Sequence, residues 1–423
     1  MKKEKIFKIL FLTALFSFTV LNVYAMFNSE NYSRSTSYAS ALGVSNINNV
    51  TVQTVNNLLD DSLEAYNACG YNSLVAVVDP QPLVVLSRAT SSKVQLYFSH
   101  GDDRADRINF LTSGLIARDE FELNFGGITY YGVNALDWTD KKLVTLAACN
   151  SAGSDITESM DSIAARICQN GCEMTVGWYT KIPGVHGQGW LERYHNKLEQ
   201  GSNVLEAARY ANQWIMLALA DANYTYKNCK VYSHGDPTPI TNNVTRVESS
   251  NENLIKSFDN TSKLFNKVNL EQCMKNIDLQ FDLNDYYLCE SEGLYLCDIE
   301  TGVEKKVEGY IDAYKKYGDY ITNSAYVIVL DNEDNIKEVY DYTKEKEFDV
   351  QKLSDKEESY FKVDDIMKDE YLRKAKANHV DEKIIEESII FQYDIVEDRR
   401  FVVVSLTLDS SEMDNYKVYE FDI

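Results

Sequence analysis

Short apolar runs that end at polar residues dominate the first half of the chain. One run, from Val94 to Ser99, stops abruptly at His100-Gly101, and another, from Leu143 to Ala148, stops at Cys149. Continuous apolar runs of this length are typical of strands that are buried on both faces, as in a parallel sheet. Ligands bind beyond the carboxyl ends of such strands. If the two runs are neighbouring parallel strands, His100 and Cys149 meet at that edge of the sheet.

The surrounding pattern predicts helices and further strands in alternation. Helices are predicted at 51–68, 156–168 and 190–198, and strands at 74–78 and 174–178. The region 107–137 is punctuated by glycines, and we expect a β-hairpin there that pairs 114–117 with 120–123. Residues 181–189 are predicted to form a mobile active-site loop. The helix at 156–168 would begin near Cys149, where its positive end would favour a thiolate.

The composition changes after about residue 241, which predicts a second, smaller domain. Residues 245–262 are polar and indicate a linker, whereas 263–423 are charged and rich in tyrosine. We expect an α+β fold of unknown role for 263–423. The expected elements are a hairpin of 326–330 with 336–342, a meander of 389–396, 401–408 and 416–421, and helices at 303–317 and 359–378.

The first 25 residues have the pattern of a secretory signal peptide. Lysines precede an apolar core at 9–21, and Val23-Tyr24-Ala25 offers a small-x-small cleavage site. Residues 26–45 are rich in Ser, Asn and Tyr without periodicity, which predicts a flexible arm. No second long apolar segment indicates a membrane span. We therefore expect a protein that is exported, either secreted or associated with the cell surface.

Charge and cysteine content narrow the function classes. A formal net charge of −23 argues against nucleic-acid binding, which needs a clustered basic surface. Export permits disulfides among the eight cysteines, but their spacing does not reveal the pairing. Cys168-x-x-x-Cys172 lacks a matching second pair, so neither a metal site nor a cofactor is expected. The oligomeric state is not determined by the sequence.

His100 and Cys149 together have the chemistry of a thiol hydrolase. A cysteine attacks as the thiolate, and a neighbouring imidazole can take and return the proton. The backbone N–H groups of Gly101 and Cys149 could together form an oxyanion hole. Alternatively, Cys149 is a small buried hydrophobic residue and His100 a strand-end histidine with a structural partner. The two residues at corresponding strand ends favour the catalytic interpretation.

Further candidates surround this pair. Asp102, after His100, and Trp178, at the end of the 174–178 strand, are predicted to contribute to substrate binding. Asp102, with the other acidic residues Asp103, Asp119 and Glu120, could line a pocket for a basic side chain, or these carboxylates are simply solvated. His186 lies in the predicted loop, and His195 is expected at the surface or in packing. His234 repeats the Ser-His-Gly-Asp tetrapeptide of 99–102 and is predicted to be structural.

The strand-His-Gly and strand-Ala-Cys pair resembles the caspase-like, clan CD cysteine peptidases. Ala147-Ala148-Cys149-Asn150-Ser151-Ala152-Gly153 is most similar to the segment in CHAT and gingipain-type domains, whereas the Gln-Ala-Cys-Arg-Gly signature of caspases is absent. Later segments resemble the next strand, a pair of helices and the closing strand of those domains: Gly171 to Trp178, Trp190 to Leu198 with Gly201 to Ala208, and Val231 to Pro237.

The resemblance covers roughly 46–244 and implies a fold and an activity. The fold is α/β, a caspase-like and mostly parallel sheet flanked by helices. The implied function is that of an exported cysteine endopeptidase that hydrolyses protein or peptide substrates with a His100/Cys149 dyad. The enzyme would be made as a zymogen if the arm or the C-terminal region blocks the cleft. The alternative is a catalytically silent caspase-like fold that serves as a secreted binding or adhesion protein.

Overall fold

The computed structural model describes residues 37–47, 50–102, 105–110, 113–116, 122–125, 128–154, 157–182, 184–213, 228–241, 254–257, 267–276, 281–342, 358–395, 398–409 and 416–423. The predicted signal peptide at 1–25 lies outside these ranges and stays a prediction. No helix within the described ranges is long and apolar enough to cross a membrane.

The first twelve strands build the region that holds His100 and Cys149. In chain order they are β1 (Tyr38–Gly43), β2 (Asn72–Ser73), β3 (Val77–Val78), β4 (Val94–Phe98), β5 (His100–Gly101), β6 (Arg107–Phe110), β7 (Ser113–Ile116), β8 (Glu122–Phe125), β9 (Ile128–Gly132), β10 (Leu143–Ala147), β11 (Met174–Trp178) and β12 (Cys229–Ser233). In the main sheet, β1, β4, β10 and β11 lie side by side in parallel, and β12 joins antiparallel to β11.

Helices cover both faces of this sheet. They are α1 (Val52–Ala68), α2 (Pro82–Ser91), α3 (Ile163–Gln169), α4 (Gly184–Glu199) and α5 (Val204–Gln213). Alternate strand residues point to opposite faces: Leu96 packs in the cluster with α1, α4 and α5, and Tyr97 packs in the cluster with α2 and α3. The prediction of an α/β fold with a mostly parallel sheet flanked by helices is confirmed.

The N-terminal part of the sheet differs from the prediction. Tyr38–Gly43, expected at the end of a flexible arm, forms β1, and five of its six residues are buried. Its apolar run is short and is interrupted by the buried Ser40, so the sequence pattern concealed it. The buried strand expected at 74–78 is wrong, because only the two-residue strand β3 forms within that range, and its residues are partly buried at the margin of the core.

A second sheet of five strands begins at the His100-Gly101 pair, in the order β5-β6-β7-β9-β8. The predicted hairpin between 114–117 and 120–123 is wrong. Strand β7 pairs antiparallel with β6 and parallel with β9, and β8 pairs with β9. The pairing of these strands is therefore set by contacts with β6 and β9 and does not follow from the spacing of the glycines.

Two helix boundaries also differ from the prediction. Helix α3 begins at Ile163 because the Ser162 hydroxyl accepts the N–H of Ala165 as an N-cap, whereas the sequence suggested a start at 156. Helix α4 begins at Gly184, so most of the predicted mobile loop at 181–189 is helical. The helix expected at 51–68 is confirmed as α1.

The C-terminal region continues the main sheet. Its strands are β13 (Leu254–Ser257), β14 (Tyr286–Asp298), β15 (Val303–Tyr317), β16 (Tyr320–Leu330), β17 (Ile336–Asp341), β18 (Ile384–Asp394), β19 (Arg399–Leu408) and β20 (Tyr416–Asp422), and its helices are α6 (Lys267–Lys275) and α7 (Asp365–Lys376). Strand β12 pairs in parallel with β14, so hydrogen bonds carry the sheet across the expected domain boundary. The division at 263 itself stays a prediction.

Within this region the hairpin of β16 with β17 and the meander of β18, β19 and β20 are confirmed. The helix predicted at 303–317 is wrong: its apolar spacing resembles a helical face, but the segment is the strand β15 between β14 and β16. Leu254–Ser257, expected in a linker, pairs with β17. Arg209 of α5 forms ion pairs with Glu308 of β15 and Glu338 of β17 and ties this region to the first.

Candidate active site

His100 and Cys149 leave the sheet at the same level. Phe98 of β4 lies opposite Ala147 of β10 in the parallel register, and the Ser99 N–H donates to the Ala147 carbonyl at 3.1 Å. Each candidate follows its strand's last paired residue by two positions. The structure thus brings the two residues to one edge of the sheet, as the apolar runs predicted.

Gly101 lies directly against the main chain of Cys149. A Cβ atom added at Gly101 would be 1.8 Å from the Cys149 carbonyl oxygen and 3.0 Å from its nitrogen. No side chain fits in that space, so glycine is required at this position by contact. The close approach fixes the His100-Gly101 segment beside Cys149.

A small cleft, partly open to solvent, lies above the two residues. His100, Cys149 and Ser99 line it, and the other described lining residues are apolar or glycine: Ile47, Phe98, Ala147, Ile182, Gly184 and Gly187. Asp102 and Trp178 are not among the described lining residues. The site is therefore a small, mainly apolar cleft with a histidine and a cysteine in its wall.

Asn46 provides a partner for His100 that sequence reasoning missed. Its side-chain oxygen lies 2.9 Å from Nε2 of the His100 ring. Asn46 follows β1, the neighbour of β4, and so arrives at the same edge of the sheet. The only signal was an asparagine shortly after a weak apolar run, directly after the arm predicted to be flexible at 26–45.

The Cys149 sulfur contacts the segment between β11 and α4. The Ile182 N–H points at Sγ over 3.4 Å, and the Ile182 carbonyl oxygen lies 3.7 Å from the same atom. The side chain is neither fully buried nor fully exposed. An amide that donates to sulfur favours negative charge on it.

The residues after Cys149 form a turn that is tied to β11. Asn150 has a φ of 54°, in the left-handed region that asparagine tolerates better than most residues. The Ser151 hydroxyl accepts the N–H of Trp178 at 3.1 Å and donates to the Leu146 carbonyl at 3.0 Å. A Cβ at Gly177 would be 2.8 Å from that hydroxyl oxygen. The small residues of this segment are thus explained by close packing beside the cysteine.

Helix α3 begins close to the turn after Cys149, but its first two amides donate to carbonyl groups and not to the cysteine sulfur. The Ile163 N–H donates to the Ala105 carbonyl at 2.9 Å, and the Ala164 N–H donates to the Ser151 carbonyl at 3.0 Å. Any stabilisation of a Cys149 thiolate therefore comes from nearer groups, of which the Ile182 amide is one.

The two residues predicted to bind substrate lie elsewhere. Trp178 is fully buried, with its ring 4.9 Å from that of Trp190 in an edge-on contact, and its role in substrate binding stays a prediction. The Asp102 carboxylate lies 3.0 Å from Nε of Arg107. Burial and the neighbouring Asp106 raise the pKa of Asp102 to about 7. Asp102 is thus part of a local ionic group behind the site.

The remaining histidines are consistent with structural roles where their side chains are described. His195 is buried between the Ser62 hydroxyl and the Tyr66 hydroxyl, and burial lowers its pKa to about 3. His234 Nε2 lies 3.0 Å from the Cys168 carbonyl oxygen. His186 falls within α4. The described ranges contain no group of three or more His, Cys, Asp or Glu that could hold a metal ion.

Most other cysteines differ from Cys149 in their surroundings. Burial raises the pKa of Cys69, Cys172 and Cys229 to about 12, and it raises the pKa values of Cys168 and Cys297 further. A buried thiol of this kind is inert. Cys273 and Cys289 are, like Cys149, only partly buried.

The protein resembles solved structures only weakly, and the comparisons assign it to no family. No family model matches the chain, and no curated protein matches it. The Arg-specific cysteine proteinase gingipain R (RgpB) aligns over 73% of this chain, at 10% identity and a TM-score of 0.26, and the chain spans 62% of its length. The complex of the Porphyromonas gingivalis RgpB pro- and mature domains aligns over 92% of this chain and 71% of that one, at 8% identity and a TM-score of 0.27. Identities and TM-scores this low carry no argument about function, which is therefore argued from the geometry of the site alone.

Proposed function

We propose that the protein is a cysteine endopeptidase in which Cys149 is the nucleophile and His100 the acid/base group. The observation that carries this proposal is the contact of Gly101 with the main chain of Cys149, next to a cleft that His100 and Cys149 both line. A nucleophile and a base that share one cleft are the minimum constellation for acyl transfer.

The reaction follows the usual two halves of acyl transfer. His100 takes the thiol proton, the Cys149 sulfur attacks the scissile carbonyl carbon, and the carbonyl oxygen becomes an oxyanion beside the amides of Gly101 and Cys149. When the C–N bond breaks, the proton passes from His100 to the leaving amine and a thioester remains. Water then attacks the thioester, with His100 as base, and releases the acid and the thiol.

Two contacts support the reactive state in this proposal. If His100 Nε2 donates its proton to the Asn46 oxygen, Nδ1 is the ring nitrogen that exchanges a proton with the cysteine and the leaving group. The Ile182 amide favours the thiolate through its contact with Sγ. Asn46 is thus a positioning residue, comparable in role to the third group of a Cys-His-Asn arrangement.

We further propose that the enzyme is exported. The N-terminal pattern of lysines, an apolar core and a small-residue cleavage site supports this proposal. Protein or peptide substrates outside the cell would then be its partners. Synthesis as a zymogen is part of the same proposal, and self-cleavage that is lost in Cys149→Ala would support it.

The first test is covalent labelling of the exported chain with peptidyl acyloxymethyl ketones. Wild type is expected to be labelled at Cys149, and both Cys149→Ala and His100→Ala are expected to lose the label. Cys273→Ala is the matched control, because Cys273 is also only partly buried. Equal labelling of wild type and Cys149→Ala would exclude the proposal. A folded wild type that no probe labels would favour the alternative of a catalytically silent binding protein.

A further inference from the structure

We propose, on the basis of the proposed function, that the cleft selects an uncharged apolar side chain of about the size of leucine next to the scissile bond. The reason lies in the walls of the cleft beside Cys149. Ile47, Phe98 and Ile182 supply its large side chains, and Gly184 and Gly187 supply open main chain. A side chain held there would be surrounded chiefly by carbon atoms.

Gly187 controls how much room the cleft has. A Cβ at this position would lie 3.5 Å from Cδ1 of Ile182 and 3.6 Å from Cε2 of Phe98. These are ordinary van der Waals distances, so alanine fits without displacement, whereas a longer side chain would enter the cleft. Glycine at this point of α4 therefore leaves space that a substrate side chain can occupy.

The charges near the site argue against a basic substrate residue. No described lining residue is acidic, and His100 is the only titratable base among them. Asp102, the nearest acidic residue in sequence, is paired with Arg107. A guanidinium in the cleft would lose its water without gaining a carboxylate partner from the described lining residues, which is unfavourable.

The test uses the full exported chain and a panel of acyloxymethyl ketones that differ only in the P1 residue: Ala, Leu, Phe, Arg, Lys, Asp and Asn. The second-order rate of Cys149 labelling is measured for each probe. We expect the Leu probe to react at least tenfold faster than any charged probe. Gly187→Leu is expected to slow the Leu probe at least tenfold and the Ala probe less than threefold. Gly187→Ala, which fits without displacement, is expected to shift the preference from Leu towards Ala.

The control is Glu192→Leu, the same new side chain on an exposed position of α4, and it is expected to leave the panel unchanged. Fastest labelling by an Arg, Lys, Asp or Asn probe would overturn the inference and leave the peptidase proposal intact. Equal slowing of all probes by both Gly187 variants would also overturn it, because the residue would then act on the dyad. Absence of labelling by every probe would instead count against the proposed function.

Discussion

The tetrapeptide Ser-His-Gly-Asp occurs twice at the end of a strand in the main sheet, and the two copies have different surroundings. At 99–102 the glycine abuts the main chain of Cys149, and the serine hydroxyl has no partner in the described structure. At 233–236 the glycine has a φ of 77° with no atom within 4 Å of an added Cβ. There the Ser233 hydroxyl donates to the Gly235 carbonyl at 2.6 Å, so the second copy forms a turn that closes on itself.

Strand direction explains the difference. Strand β4 is parallel to β10, so the first copy emerges where β10 delivers Cys149. Strand β12 is antiparallel to β11, with Ser233 opposite Met174, so the second copy emerges at the opposite edge. His234 there meets the Cys168 carbonyl and lies 3.7 Å from Glu300. The direction of the neighbouring strand thus decides which residues surround each copy of the tetrapeptide.

The largest expected difference between the copies is in catalysis. His100→Ala is expected to lower kcat/KM by about 10²–10⁴-fold, because a positioned acid/base group contributes about that much. His234→Ala is expected to change it less than about twofold, since His234 lies at the other edge. Both values would be measured with a fluorogenic peptide that carries the P1 residue selected by the labelling panel. Equal losses in the two variants would contradict the assignment.

The glycines give the next largest difference. Gly101→Ala forces a methyl group against the Cys149 carbonyl and is expected to cost about 3 kcal/mol in the free energy of unfolding, as overpacking does, together with loss of probe labelling. Gly235→Ala meets open space but keeps a left-handed backbone, so about 1 kcal/mol is expected. Urea denaturation would measure both. A Gly101→Ala variant as stable and active as wild type would refute the close contact.

Asn46→Ala is expected to lower kcat/KM about tenfold, because the His100 ring loses the partner that orients it. The pH profile of kcat/KM is expected to shift as well, which a purely structural role would not produce. Asn46→Asp, which keeps the acceptor oxygen, is expected to restore at least part of the activity. Glu300→Gln, the corresponding change beside His234, serves as the control and is expected to have no effect on activity.

The smallest expected effect concerns the aspartates of the two copies. The pKa of Asp102 is raised to about 7 in the folded protein, against an ordinary value near 3.9. The folded state therefore binds the proton more tightly, and this contribution to stability is present below about pH 4 and is lost as the pH rises through about 7. Asp102→Asn is expected to flatten this pH dependence of the free energy of unfolding.

Asp236 is exposed, so Asp236→Asn is the matched control and is expected to leave the dependence close to that of wild type. Urea titrations at pH 4.5, 6 and 7.5 would measure it. If stability rose with pH in wild type and not in Asp102→Asn, the pKa of Asp102 would be lowered by folding and not raised.

The sequence predicted those parts of the fold whose pattern is fixed by burial on both faces. Strands β4, β10 and β11 are short and mostly apolar, and the first two place His100 and Cys149 at one edge from local pattern alone. Strand β1 was missed because small and polar residues dilute its run, and Asn46 was missed with it. Strand β15 was mistaken for a helix because its local spacing fits a helical face, whereas pairing with β14 and β16 decides its conformation.

The surroundings of the two residues predicted to bind substrate could not be read from the sequence for a related reason. The sequence places Trp178 at a strand end but does not reveal which way the ring points, and Trp190 of α4 draws it into the core. The partner of Asp102 was equally hidden, since nothing in the local pattern indicates that Arg107 lies 3.0 Å from its carboxylate. Strand ends are predictable from local pattern, whereas side-chain partners depend on tertiary contacts.

The pairing of β12 with β14 has a consequence for proteolytic processing. A protease that cuts between 242 and 253 would sever the chain but not the sheet, and the ion pairs of Arg209 with Glu308 and Glu338 would persist. The two fragments would therefore co-elute in gel filtration and separate only in denaturant. Release of the C-terminal fragment would expose a row of unpaired backbone groups along β12, an edge prone to aggregation. Maturation at that segment would thus yield a nicked two-chain protein.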